Sequence, residues 1–546
     1  MSQTLRQETA WLPLDTLRFQ PICGPVSHDA PLAVSQTIAQ RFWQVAHRLP
    51  DAPAVSTATT CYSYGQMAAA AASVARTLKS HPQFTAGSRV VLLAPNSPQF
   101  VAAFYGILGA GGVVVPLPPD METQALRNVI QSTQAAVLIA PGNLKRQAAL
   151  LDPLPRMELT NDETPADVAF SLPVAPDNDL AALFFTAGST GDPKGVMLSQ
   201  RNLLANAESI QTYLEITSSD RPLCLLPFYH AFGHSVMQSH LLAGAHLVLD
   251  GKTLFPETIV TALAQHAATS FSGVPDLYRL LLERTSLGQT PLPALRYMAV
   301  AGGCLRKDMA LAVAERIAPA RFFCMYGQSE ATARLAYLPA EQLPVQPSGC
   351  LGQAIPGVEL KVVDDNGQPV AIGEVGELRA RGPNVMLGYW QDPSGTAERL
   401  VEGWLSTGDL ASVDEEGWIT HRGRRNAIVK IAGFRVHPQD LETFALQHFS
   451  VRQAVAVPFE SPQVGTRLAL YVIPGEEQPL SLSDMQLQCR AELPRQLVPD
   501  QIHEVHDFPL NAALKVDRLQ LSRHAEQEAS RQAPPVEPIA KAGSMA

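Results

Sequence analysis

Charge is scarce in this chain. Charged residues make up 17% of its 546 positions against 46% hydrophobic ones, and the formal net charge is −10. Without a basic surplus, a nucleic acid or an anionic membrane is disfavoured as partner, and a polyanionic ligand needs a local basic site. Cysteine offers no framework either: Cys23, Cys61, Cys224, Cys304, Cys324, Cys350 and Cys489 are scattered, odd in number and form no C-x-x-C pair. That speaks against a disulfide scaffold or a zinc site and fits isolated thiols in a reducing cytosol. Met1 to Gln20 hold no apolar h-region, so no secretory signal is read there. One stretch, Val101 to Leu117, is apolar enough to raise the question of a membrane span. It is short and broken by Gly106, Gly109, Gly111, Gly112 and Pro116, so a buried helix followed by a buried strand is expected instead. No convincing Ser-His-Asp constellation is present.

What the chain does have is alternation of strands and helices. Its length exceeds one ordinary core, so two or more domains are expected. Residues 1–35 carry four prolines and no period. Ile38 to Leu49 reads as an amphipathic helix, Ala54–Ser56 with Tyr62–Tyr64 as a hairpin, and Gln66 to Leu78 as a second helix. The run Arg89–Leu93 is a buried strand; Ser97 caps a helix with Pro98 in its first turn, Gly111-Gly112 stop it, and Val113–Val115 form the next strand. Strand, helix, strand of this kind implies a parallel sheet covered by helices.

The most informative stretch is Leu180 to Gly195. An apolar run, Leu180-Ala181-Ala182-Leu183-Phe184-Phe185, has the look of a buried strand and empties into Thr186-Ala187-Gly188-Ser189-Thr190-Gly191-Asp192-Pro193-Lys194-Gly195. Glycines let backbone N–H groups turn inward, hydroxyls add donors and Lys194 adds a positive charge, which is equipment for holding phosphate. A Walker A loop is excluded, because Lys194 runs into Gly195-Val196-Met197-Leu198, a strand rather than a helix N-terminus. Alone, such a loop is an ordinary surface turn, and it needs partners elsewhere.

Partners follow in order. Leu225-Leu226-Pro227-Phe228-Tyr229-His230-Ala231-Phe232-Gly233-His234 places His230 after a strand and a proline, at the kind of sheet edge where open α/β sheets bind ligands, although a histidine among aromatics also packs. Tyr297 to Gly303 is a strand ending in Gly302-Gly303, a tight turn on its own. Phe322 to Glu330 runs from a strand into Tyr326-Gly327-Gln328-Ser329-Glu330. Here Tyr326 has a flat aromatic face, Ser329 a hydroxyl suited to phosphate, and Glu330 a carboxylate able to hold a magnesium ion. In plainer terms these are a core aromatic and a solvated charge. Gly357 to Arg381 reads as antiparallel strands around the turn Asp364–Gly367. Asp409 follows a Thr407-Gly408 turn, and Lys515 sits in Phe508 to Arg518.

Together these motifs resemble the adenylate-forming superfamily of acyl-coenzyme A ligases, peptide-synthetase adenylation domains and firefly-type luciferases, with the AMP-forming acyl-CoA ligases nearest in motifs. The resemblance spans about residue 35 to about residue 525. It implies an α/β fold: a large N-terminal AMP-binding domain, residues 1–425, of helix-covered β-sheets with a small β-barrel-like subdomain. A small mobile α+β C-terminal domain, 426–525, and a disordered tail, 526–546, complete it.

The resemblance also assigns roles. Thr186, Gly188, Ser189, Thr190 and Gly191 hold phosphates, Gly302 and Gly303 line the adenine and acyl pocket, and Tyr326, Gly327 and Ser329 contact the nucleotide. Asp409 takes both ribose hydroxyls and Arg424 the ribose or phosphate. Glu330 holds Mg2+, and His230 borders the acyl pocket and ATP. Lys515 bridges the substrate carboxylate and the α-phosphate, with Lys194 offsetting developing charge. Asn426 is the hinge, where Asp or Lys is usual. Lys430 and Gly433 belong to a loop that swings in so that the pantetheine arm of coenzyme A, or of a carrier protein, passes. Asn511 and Leu514 depart from the usual Thr and Gly near Lys515.

The reaction implied is ATP-dependent acyl-AMP formation in the cytoplasm followed by transfer to a thiol. Ala231 stands where amino-acid-activating relatives carry an aspartate, which disfavours an α-amino acid and favours a fatty or other apolar acyl acid, an aryl acid next. No sizeable insertion separates Glu330 from Asp409, which favours coenzyme A over a carrier protein. A stand-alone adenylation enzyme loading a carrier protein, a luciferase-like oxygenase and a non-catalytic nucleotide-binding protein share these motifs.

Overall fold

A computed structural model describes residues 36–141, 156–159, 180–186, 193–251, 255–303, 305–425, 429–431, 434–461, 465–475, 481–509 and 516–532. The expectations for residues 1–35, Gly188, Ser189, Thr190, Gly191, Asn426, Gly433, Asn511, Leu514 and Lys515, and for the Lys430 side chain, lie outside the described residues.

The strand–helix–strand reading of residues 89–117 holds. Strands Arg89–Leu93 and Val113–Leu117 pair in parallel, and the helix Pro98–Gly109 between them is capped by Ser97, whose Oγ accepts from the Phe100 amide at 3.1 Å. Around them runs a seven-stranded sheet in the order Gly388–Tyr389, Lys194–Ser199, Leu180–Thr186, Val113–Leu117, Arg89–Leu93, Val137–Pro141, Arg156–Leu159. The last five pair in parallel; the first two are antiparallel additions.

Alternate residues of this sheet face opposite sides, and both sides are dry. Val90, Leu92 and Val114 pack with the helices Ile38–Arg48, Tyr64–Ser80 and Pro98–Gly109, while Val91, Leu93, Val113 and Val115 pack with Leu126 and Val129 of the helix Thr123–Thr133. Burial on two faces is why these strands read as unbroken apolar runs. Tyr64 departs from expectation: it opens a helix instead of ending a hairpin strand. Ser63 and Gln66 form a capping box, Ser63 Oγ accepting from the Gln66 amide at 3.2 Å and Gln66 Oε1 from the Ser63 amide at 2.8 Å.

A second sheet sets strands Leu247–Leu249, Pro222–Leu223, Ser270–Gly273, Tyr297–Val300 and Arg321–Tyr326 side by side in parallel. It continues through Ala336–Leu338 and Cys350–Ala354 into the antiparallel strands Ile419–Arg424, Trp404–Val413, Gly376–Arg381 and Glu359–Val363. The turns that follow the parallel strands carry Gly302 and Ser329, so the C-terminal edge of this sheet is where ligand-binding loops gather.

Beyond residue 434 the chain has its own core. Strands Val451–Ser461 and Gly465–Pro474 are antiparallel, Gln501–Glu504 joins the second in parallel, and the helices Pro438–His448, Leu482–Glu492 and Arg518–Gln532 complete an α+β arrangement. The disorder expected from residue 526 does not hold for residues 526–532, which are helical. Leu521, Ala525 and Ala529 form a buried stripe against Val455, Val457 and Phe459, so the last helix keeps its order to Gln532. No helix among the described residues is long and apolar enough to cross a membrane.

Candidate active site

Asp409 organises the site. It lies inside the strand Trp404–Val413, not in a turn as its Thr-Gly neighbours suggest; Gly408 adopts a φ of +75° within that strand, which glycine tolerates. Asp409 is opposite Arg424 in the register with strand Ile419–Arg424. Its carboxylate accepts from Tyr326 Oη at 2.5 Å and meets Arg424 Nε at 2.9 Å and His421 Nε2 at 3.5 Å. Burial would push this carboxyl up, but the His421 hydrogen bond, the Arg424 charge and the Tyr326 hydroxyl outweigh it and hold the carboxyl below the ordinary range. An ionised, acceptor-only group is the form that takes two hydroxyls. Tyr326 stays neutral, because burial and the adjacent Asp409 raise its phenol well above the usual value.

A second cluster joins the phosphate-loop strand to the Glu330 turn. Lys194 Nζ pairs with Asp392 Oδ2 at 2.9 Å and lies 4.9 Å from the centre of the Tyr389 ring, whose hydroxyl donates to Glu330 Oε1 at 2.7 Å. The Lys194 hydrogen bond and the Gly395 amide hold the Asp392 carboxyl below the usual range. Backbone fixes this geometry: Gly388 and Tyr389 pair with Met197 and Val196, the Met386 amide donates to the Glu330 carbonyl, and Asn384 Nδ2 donates to the carbonyls of Ala331 and Arg334. Tyr389, Asp392 and His421 are site residues that the motif reading missed.

Ser329 and Glu330 sit on a short 3-10 turn after the strand Arg321–Tyr326. Gly327 is obligatory there, since an added Cβ would collide with the Ala333 carbonyl oxygen. Gly302, at φ +84°, and Gly303 are exposed after their strand and leave room beside it. Thr186 faces Lys194 across the strand pair, its Oγ1 3.5 Å from the Lys194 carbonyl.

Among the described residues no three His, Cys, Asp or Glu side chains are grouped to hold a metal. A magnesium ion carried mainly by substrate phosphates needs only one or two carboxylates, and Glu330, positioned by Tyr389 beside the Lys194 strand, fits that requirement.

The AMP-binding enzyme family profile matches residues 42–390. The chain belongs to the AMP-binding enzyme family. Its kind of reaction is that of AMP-forming acid ligases. A long-chain-fatty-acid–CoA ligase of Salmonella typhimurium is 28% identical over 91% of this chain and 97% of its own. A feruloyl-CoA synthase of Amycolatopsis is 28% identical over 87% and 96%. The crystal structure of ATP-bound MatB from Rhodopseudomonas palustris superimposes with a TM-score of 0.81 at 24% identity, covering 90% of this chain and 100% of that one.

In this AMP-binding enzyme His230 stands at the N-cap of the helix Ala231–Ala243, its ring edge-on to Tyr229 at 4.7 Å. The neighbouring His234 has a different character: burial pushes its pKa down to about 4 against the pull of Gln238, and it packs neutral against Phe104 and Phe184. Gly233 lets this helix meet the loop before it, because an added Cβ would strike the Pro227 carbonyl oxygen. Gly233→Ala should therefore cost about 3 kcal/mol, read as a lower thermal midpoint; an unchanged midpoint would show that the loop yields freely.

Proposed function

We propose that the enzyme activates a carboxylic acid with an apolar acyl body, using ATP, and passes the acyl group to the thiol of coenzyme A. The observation that carries this reading is a pair of clusters, Asp409, Arg424 and Tyr326 in one and Lys194 and Glu330 in the other, tied together by the short Tyr326–Glu330 segment. One cluster has acceptor and cation for ribose and phosphate; the other has a cation and a metal-binding carboxylate for the phosphate chain.

In the first step a carboxylate oxygen bonds to the α-phosphorus and pyrophosphate leaves with the electrons of the broken P–O bond. Asp409 orients the ribose, Lys194 exchanges Asp392 for phosphate oxygen, and Lys515 is assigned the bridging charge for the acid and the α-phosphate, so positioning and charge supply most of the catalysis. Mg2+, when bound at Glu330, neutralises phosphate charge. In the second step the thiol sulfur attacks the acyl carbon, AMP leaves, and the thiol proton passes to solvent. The segment around Lys430 and Gly433 serves this second step, and Asn426 is the pivot.

Pyrophosphate release and hydroxamate trapping across a panel of acids test the first step. Coenzyme A compared with a phosphopantetheinyl carrier protein as acceptor tests the second. ATP binding without turnover of any acid would overturn the ligase reading, and exclusive transfer to the carrier would replace the acceptor. Oxygen uptake with a supplied acyl-AMP would point to an oxygenase.

A further inference from the structure

A cation lies buried where the mechanism above makes no use of it. Arg334, four residues beyond Glu330, is only 2% exposed. Its guanidinium carbon sits 4.3 Å from the centre of the Phe232 ring, Nη1 donates to the Ala333 carbonyl at 3.2 Å, and the hydroxyls of Tyr213 and Tyr297 are polar neighbours. Nε has no hydrogen-bond partner, and among the described residues no carboxylate lies within ion-pairing distance. An arginine does not shed its proton inside a protein, so a full charge remains there without a counter-ion.

The helix that carries Tyr213 also carries unused donors. Asn206, Ser209 and Tyr213 recur at spacings of three and four along the helix Gln200–Leu214 and so share one face. Asn206 Nδ2, Ser209 Oγ and, beside Glu330, Gln328 Nε2 are buried without partners. Such orphaned groups in a native interior call for an acceptor that the chain itself does not supply. Phe232, which Arg334 covers, is half-buried and only two residues past His230. The guanidinium thus covers a ring of the His230 segment, which by resemblance borders the acyl pocket, and Arg334 itself follows the Tyr326–Glu330 turn.

We propose that Arg334 is the counter-ion of a second carboxylate on the acid substrate, so that the enzyme activates a dicarboxylic acid. One carboxyl reacts with ATP, an apolar segment lies along Phe232 and Met325, and the distal carboxylate meets the guanidinium. This rests on the acid-activating function proposed above.

The test is pyrophosphate release with monocarboxylic acids and dicarboxylic acids of matched length, for wild type, Arg334→Leu and Arg334→Lys. Wild type should favour the dicarboxylic members by about a hundredfold in kcat/KM. Arg334→Leu should abolish that preference while keeping or raising turnover of the monocarboxylic acids, and Arg334→Lys should restore part of it. Equal or better use of monocarboxylic acids by wild type, or a preference that Arg334→Leu leaves unchanged, overturns the inference. The wild-type comparison decides even if the leucine variant fails to fold. Absence of pyrophosphate release with every acid would instead count against the ligase function itself.

Discussion

Asp409→Ala is expected to lower pyrophosphate release about a thousandfold, chiefly through weaker use of ATP. In the role proposed for it, Asp409 makes two charge-assisted hydrogen bonds to ribose hydroxyls, each worth about 1.5–3 kcal/mol, and both would be lost. The damage extends to the protein partners: Tyr326 loses the acceptor of its 2.5 Å hydrogen bond, and Arg424 loses its 2.9 Å ion pair. An unpaired buried phenol costs about 1–3 kcal/mol, so the thermal midpoint should fall as well. Asp409→Asn separates the two effects, since an amide oxygen still accepts from Tyr326 but brings no charge for Arg424.

The same carboxyl has a pH signature. Its pKa is depressed in the folded chain, so its contribution is complete above the unfolded value, near 4, and disappears as pH falls through the folded value. Acid unfolding of wild type should therefore carry a component below about pH 4 that Asp409→Asn lacks. Superimposable acid-unfolding curves would remove Asp409 from that role.

The cores and the parallel sheets were legible because their signals are local. Ser97 before Pro98 and the double-sided apolar runs each state a structure within a few residues. Tyr389 and Asp392 were not legible, since their work is done across the chain. Locally Asp392 is the cap of the helix that starts at Pro393, its carboxylate accepting from the Gly395 amide at 2.8 Å. That signature says nothing of Lys194, 198 residues away. The last helix was missed for another reason: Leu521, Ala525 and Ala529 make a stripe too weakly apolar to stand out among charged neighbours, and only strand Val451–Ser461 makes it a buried face. Arg334 passes unnoticed within Ala331 to Leu335, because nothing local marks an arginine as buried.

Lys515→Ala should divide the reaction in two. If this lysine bridges the incoming carboxylate and the α-phosphate, its charge acts where negative charge builds up in the first step, and removing one such group costs about a thousandfold. The second step needs no such bridge, because the acyl carbon is already activated and AMP is the leaving group. Acyl transfer from supplied acyl-AMP to coenzyme A should therefore stay within about threefold of wild type, while ATP-dependent pyrophosphate release collapses. Lys515→Arg keeps the charge but replaces a compact ammonium by a wide planar fork, so it should recover only part of the first step. Equal losses in both half-reactions would mean that the residue supports the C-terminal module as a whole, and an undiminished first step would remove it from the chemistry. Asn511 and Leu514 flank this position where Thr and Gly are usual. Leu514→Gly in the wild-type background should change the first step by less than about tenfold, because a point charge on a long flexible stem tolerates a shift of its loop better than a rigid donor would.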